Sequence, residues 1–91
     1  MPAYQTLELG DEFMESLIGR DFNYAERRRF VRALWLLDDD DERHPSLRVH
    51  QLSGDLAGQW SASASDVLRL TFERLPNGRK RLLSCSRHYA R

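Results

Sequence analysis

The chain has 91 residues, 41% hydrophobic and 10% aromatic. That is one small domain, 1–91, with one modest core, and it is too apolar to read as disordered. Fourteen basic and fourteen acidic side chains cancel. Residues 1–45, however, hold six basic against eleven acidic side chains, and residues 46–91 hold eight against three. The second half is therefore expected to meet something anionic. All the cations except Lys80 are arginines, whose rigid fork of donors suits phosphate better than a lysine point charge does. The longest apolar run, Ala33 to Leu37, is far short of a membrane span. The first twenty residues lack the basic-then-apolar order of a secretory signal. The single cysteine, Cys85, excludes an internal disulfide and a Cys-rich zinc site. A soluble, reduced, cytoplasmic protein is expected.

In chain order, residues 4–9 read as a short strand with Leu7 and Leu9 on one face. Asp11 reads as the N-cap of a helix through Ile18, with Phe13, Met14, Leu17 and Ile18 at helical spacing and Gly19 ending it. Asn23 and Glu26 have the form of a capping box for a second helix. Along it Phe30, Val31, Leu34, Trp35 and Leu37 fall three and four residues apart. The acidic run 38–42 opposes the helix dipole, so the helix is expected to fray into a solvated loop there. After Pro45 the period becomes two, and 47–52, 56–64, 67–74 and 81–89 read as strands. Ser65-Asp66 joins two of them closely and Pro76-Asn77-Gly78 turns the chain into the last. The order β-α-α-β-β-β-β implies an α+β domain, with two N-terminal helices on one face of a mostly antiparallel four- to five-stranded sheet.

Parity then decides which side chains share the face away from the helices. Leu68, Leu70 and Phe72 point to the core, leaving Arg69 and Thr71 outward. Leu47 and Val49 point inward, leaving Arg48 and His50 outward, and Leu52 breaks the alternation, so a bulge is expected near Gln51. In 81–89 the adjacent Leu82 and Leu83 leave parity open. With Leu83 and Cys85 inward, Ser84, Ser86 and His88 face out, and Arg87 and Tyr89 follow Cys85. The outward set is Arg48, His50, Arg69 and His88, with Arg87 and Tyr89 at its margin. These groups suit RNA cleavage by 2′-hydroxyl attack without a metal. His50 supplies a base, Arg69 a cation for the growing phosphoryl charge, and His88 or Tyr89 an acid for the leaving oxygen.

The stretch His50-Gln-Leu-Ser-Gly54-Asp-Leu-Ala-Gly58-Gln-Trp60-Ser61, then Leu68-Arg69-Leu70-Thr71-Phe72, then Arg87-His88-Tyr89 resembles the RelE/ParE toxin superfamily. Within it, the likeness is to ribosome-dependent mRNA interferases of the RelE, YoeB and HigB type, over about residues 44–89. The resemblance implies a toxin of a type II toxin–antitoxin pair. Such a toxin enters the ribosomal A site, cuts the bound mRNA without metal or cofactor, and is held by a cognate antitoxin. It implies that Arg69 stabilises the transition state and that His88 and Tyr89 serve leaving-group protonation and base contacts. His50 stands where the YoeB branch has a glutamate base, a departure that imidazole chemistry accommodates. Arg48 and Arg87 are carried as phosphate contacts. A ParE-like gyrase inhibitor and a non-catalytic module of the same fold are the alternatives.

The other notable residues have plainer readings. Trp60 is read as core, Gly54 and Gly58 as turn geometry, and Cys85 as a small buried residue. His44 is read as a loop histidine and Arg27-Arg28-Arg29 as a solvated helix face, with nucleic-acid contact second.

Overall fold

The computed structural model describes residues 4–39 and 43–87. Strand β1 (Leu7–Leu9) leads into helix α1 (Asp11–Ile18) and helix α2 (Tyr24–Asp39). A 3-10 turn (Pro45–Leu47), strand β2 (His50–Gln51) and a second 3-10 turn (Gly54–Leu56) follow, then β3 (Gln59–Ser63), β4 (Leu68–Arg74) and β5 (Lys80–Arg87). The five strands lie in the order β1-β5-β4-β3-β2; β1 is parallel to β5 and every other pair is antiparallel. The expected architecture is the observed one.

Both helices cover one face of the sheet. Phe13 and Leu17 of α1, and Phe30, Ala33, Leu34 and Leu37 of α2, are buried against Leu68, Leu70, Phe72 and Leu82. The α2 residues recur at the three- and four-residue spacing of one helix face. The apolar run 33–37 exceeds the width of that face, so Trp35 is turned outward, 42% exposed, and packs at a tilt against Tyr4 with ring centroids 4.8 Å apart. Burial and the negative Asp38 nearby raise the Tyr4 hydroxyl above its ordinary pKa.

Helix starts and stops show where local rules hold. The Asn23 side-chain oxygen accepts the Glu26 amide (2.8 Å) and Glu26 accepts the Asn23 amide (2.9 Å), a complete capping box. At α1 the cap is Gly10, not Asp11, which is already helical. Gly10 donates its amide to the Leu82 carbonyl at 3.1 Å, and a Cβ there would lie 2.8 Å from the same oxygen. The sheet's close approach, rather than a side-chain cap, decides where α1 begins. Arg27 leaves the solvated face expected of it: its guanidinium donates to the Leu17 (3.1 Å) and Gly19 (2.7 Å) carbonyls, capping the C-terminus of α1 with positive charge.

Residues 40–42 of the acidic run lie outside the described residues, but its start departs from expectation. Helix α2 continues through Asp39, and the half-buried Asp38 is hydrogen-bonded rather than left to water. Its carboxylate accepts the Thr6 amide (2.6 Å), the Thr6 hydroxyl (2.7 Å) and the Gln5 amide (3.1 Å), tying the end of α2 to the entry of β1. Burial alone would raise the Asp38 pKa, but these hydrogen bonds and the positive Lys80 hold it below the ordinary carboxylate range. Lys80 itself is 2% exposed. Asp38→Ala is expected to cost about 1–3 kcal/mol, since it leaves donors without their charged acceptor. Because the folded pKa is depressed, this stability is fully present above the unfolded aspartate value of about 3.9 and is lost as pH falls through the folded value. Thermal melts of wild type and Asp38→Ala should differ by a constant amount above about pH 5 and converge in acid. A difference that persists unchanged in acid would remove the carboxylate from this role.

The strand expected at 47–52 is cut to two residues. Pro45 starts a 3-10 turn capped by His44 Nδ1, which accepts the Ser46 amide at 3.3 Å, and Arg48 leaves it in the left-handed region at φ 46°. The irregularity expected near Gln51 thus sits at Arg48. Gly54 (φ 68°) and Gly58 (φ 93°) open and close the loop before β3, as expected of turn glycines. The register of β4 and β5 shifts between Thr71, opposite Ser84, and Phe72, opposite Leu82. Leu83 is therefore the extra residue of a bulge, and Leu82 and Cys85 both face the core. Burial pushes the Cys85 thiol up to about 11, against the lowering effect of its hydrogen bond with Ser16. It is a packed thiol, not a nucleophile.

Candidate functional site

Strand register assembles the face opposite the helices. His50 lies opposite Ser61, Ser61 opposite Thr71, and Thr71 opposite Ser84. In the adjacent row Ser63 lies opposite Arg69, and Arg69 opposite Ser86. Directly opposed residues project to the same side of a sheet, so His50 and Arg69 share one face with these five hydroxyl side chains. Two strands and two residues separate them, roughly 12 Å between Cα atoms from ordinary strand spacing and rise. That span lets an imidazole and a guanidinium reach opposite sides of one phosphodiester. Ser61 and Ser63 are buried at the floor of the face, while His50 is exposed.

The backbone sets the state of His50. Its Nδ1 lies 3.0 Å from the Arg48 carbonyl. A carbonyl only accepts, so Nδ1 carries the hydrogen and the neutral ring presents Nε2 as an acceptor. The left-handed conformation of Arg48 turns its carbonyl back to the ring two residues on.

Arg69 is held by its own hairpin. Its Nη1 donates to the Ser65 carbonyl (2.7 Å) and the Leu68 carbonyl (3.1 Å). That uses both hydrogens of one nitrogen, and among the described residues the Nε and Nη2 edge has no partner. A fixed guanidinium with a bidentate edge is suited to phosphoryl oxygens.

The remaining candidates differ. Arg48 is exposed beside His50. Arg87 stands opposite Leu68, on the helix side of the sheet, and is not brought to the face of Arg69. It pairs with Glu26 (2.7 Å), donates to the Asp21 carbonyl (2.6 Å) and covers the Phe22 ring at 4.8 Å. Its visible work is to clamp the end of β5 to the start of α2. The hydrogen bond with the Asn23 backbone and the Arg87 guanidinium lower the Glu26 pKa. His88 and Tyr89 lie outside the described residues. Trp60 is partly buried against the core and stacks under Arg74, whose guanidinium carbon is 4.1 Å from the ring centroid. Among the described residues no cluster of His, Cys, Asp and Glu has the makings of a metal site.

Two features were not foreseen from the sequence. One is that Ser61 and Ser63, written in the alternation of β3, join Thr71, Ser84 and Ser86 on the face. The other is the approach of Arg29 and Arg32, one helical turn apart on α2, to Arg48.

No protein-family model matches the chain, and no curated protein matches it. Solved structures match over nearly the whole chain. An archaeal RelE–RelB complex from Pyrococcus horikoshii matches with TM-score 0.71 and 15% identity, over 98% of this chain and 100% of that one. A YoeB–YefM complex from Staphylococcus aureus matches with TM-score 0.69 and 18% identity, over 96% and 100%. YafQ from E. coli matches with TM-score 0.63 and 16% identity, over 89% and 90%. The fold is the one these toxins share.

Proposed function

We propose that the chain is the toxin of a type II toxin–antitoxin pair, an endoribonuclease that cuts mRNA on the ribosome. The observation that carries this reading is one open sheet face presenting His50, in its acceptor tautomer, and Arg69, anchored with a bidentate edge that meets no partner among the described residues. His50 Nε2 takes the proton of a ribose 2′-hydroxyl, whose oxygen attacks the adjacent phosphorus. Arg69 neutralises charge on the non-bridging oxygens as it grows. The 5′-oxygen leaves with a proton from His88 or Tyr89, giving a 2′,3′-cyclic phosphate and a 5′-hydroxyl. No redox partner or metal is required by this balance.

An antitoxin partner is supported by the surface of α2. Tyr24, Val31 and Trp35 are exposed beside Leu36 in a groove rimmed by Arg27, Arg28 and Arg32, a surface that suits an amphipathic helix with acidic flanks. The similar YoeB and RelE structures were solved as complexes with YefM and RelB.

The test is primer extension on a message translated in a purified system, with and without ribosomes and with EDTA during a brief cleavage step. Discrete ribosome-dependent cuts with cyclic or 3′-phosphate ends are expected, abolished by the product of the adjacent gene. No cuts, together with inhibition of gyrase supercoiling, would move the chain to the ParE-like function.

A further inference from the structure

A second basic feature lies at the tip of the β3–β4 hairpin. A recess of about 410 Å³ opens between α2, the 3-10 turn after it and the hairpin, and Arg29, Arg32 and Arg48 reach into it together with Ser46, Ser63 and Ser65. All three arginines are exposed. Among the described residues, none of their guanidiniums has a hydrogen bond or ion pair. Among the described residues that line it, Asp66 is the one carboxylate, so their balance is positive. Like charges that line one recess repel one another, and an anion relieves that repulsion.

We propose that this recess binds a backbone phosphate of the RNA next to the one that is cut; this rests on the cleavage reading above. The recess is continuous with the proposed site. Ser65, whose carbonyl anchors Arg69 at 2.7 Å, lines it, and so does Ser63, which stands opposite Arg69. A strand lying across Arg69 therefore carries its neighbouring phosphate to the hairpin tip. The walls favour phosphate over an acidic peptide. Serine hydroxyls donate to phosphate oxygens, whereas Pro45 and Ala64 offer little apolar surface to hold peptide side chains. The volume falls within the roughly 300–1,000 Å³ of small-ligand clefts.

The experiment measures binding of a 2′-O-methyl RNA decamer, which lacks the attacking hydroxyl, to wild type and to the Arg29→Gln/Arg32→Gln double variant across salt concentrations. The double variant should bind at least ~10-fold more weakly. Its salt slope should fall by ~0.7 for each phosphate that is no longer neutralised. Asp66→Asn, which removes the opposing charge, should bind more tightly. Unchanged affinity and slope in the double variant would overturn the proposal. So would a ten-residue polyglutamate peptide that binds wild type as well as the RNA does and loses affinity equally in the variant; the recess would then be a peptide site. Wild type that holds the decamer through these arginines but cuts no mRNA would overturn the cleavage reading and leave the phosphate recess standing. Cutting that persists with arginine-independent binding would do the reverse.

Discussion

His50→Ala is expected to slow cleavage of ribosome-bound mRNA by ~10²–10⁴, the range typical of losing a positioned general base. The fold should not change. His50 is exposed, sits on a two-residue edge strand, and among the described residues its side chain makes one hydrogen bond, to the Arg48 carbonyl. Without that bond the melting temperature should move little, which separates a chemical role from a structural one. His50→Gln sharpens the test, because glutamine donates and accepts hydrogen bonds but does not take up a proton at neutral pH. It should be as slow as alanine while binding ribosomes normally, so that kcat falls and KM holds. Near-wild-type kcat in either variant would remove His50 from the proton transfer.

Arg69→Ala is expected to lower the rate by ~10²–10³, the loss seen when one fixed donor is removed from a developing oxyanion. Here a structural loss accompanies the chemical one, since Nη1 bridges the Ser65 and Leu68 carbonyls at the hairpin tip. Arg69→Lys separates the two. Lysine keeps the charge but has neither the bidentate edge nor the anchoring fork, so activity should recover only in part. Circular dichroism and thermal melts must show a folded protein in both. If Arg69→Ala remains folded and cuts at nearly the wild-type rate, the proposed site is wrong. Combining Arg69→Ala with His50→Ala should cost less than the sum of the two single losses, because both act in one transition state.

Much of the fold was legible in the residues themselves. Phe30, Leu34 and Leu37 announced the buried face of α2, Asn23 and Glu26 its start, and Leu68, Leu70 and Phe72 the inward side of β4. Each of these is a statement about neighbours within four positions, where helical spacing, capping and strand alternation operate. The outward placement of Arg69 followed from the same alternation, whereas His50 reaches that face from a strand of only two residues. Other features depend on groups far apart in the chain. Asp38 reads locally as a charge that should fray a helix, yet three donors from Thr6 and Gln5 turn it into a tether. Arg27 reads as surface until the end of α1 offers it two carbonyls.

The candidate site divides in the same way. Sequence alone determined the residue types, the element order and the parity of β4. Tertiary structure decided the rest. The bulge at Leu83 returned Leu82 and Cys85 to one face, and Arg87 went to Glu26 across the sheet. The left-handed turn at Arg48 chose the tautomer of His50, and the packing of α2 beside the hairpin gathered Arg29, Arg32 and Arg48 around one recess. The physical reason is range: periodicity and capping act over a turn of helix or a pair of strand residues. Which donor meets which acceptor, and which charge is left without a partner, is settled only when segments distant in sequence come together.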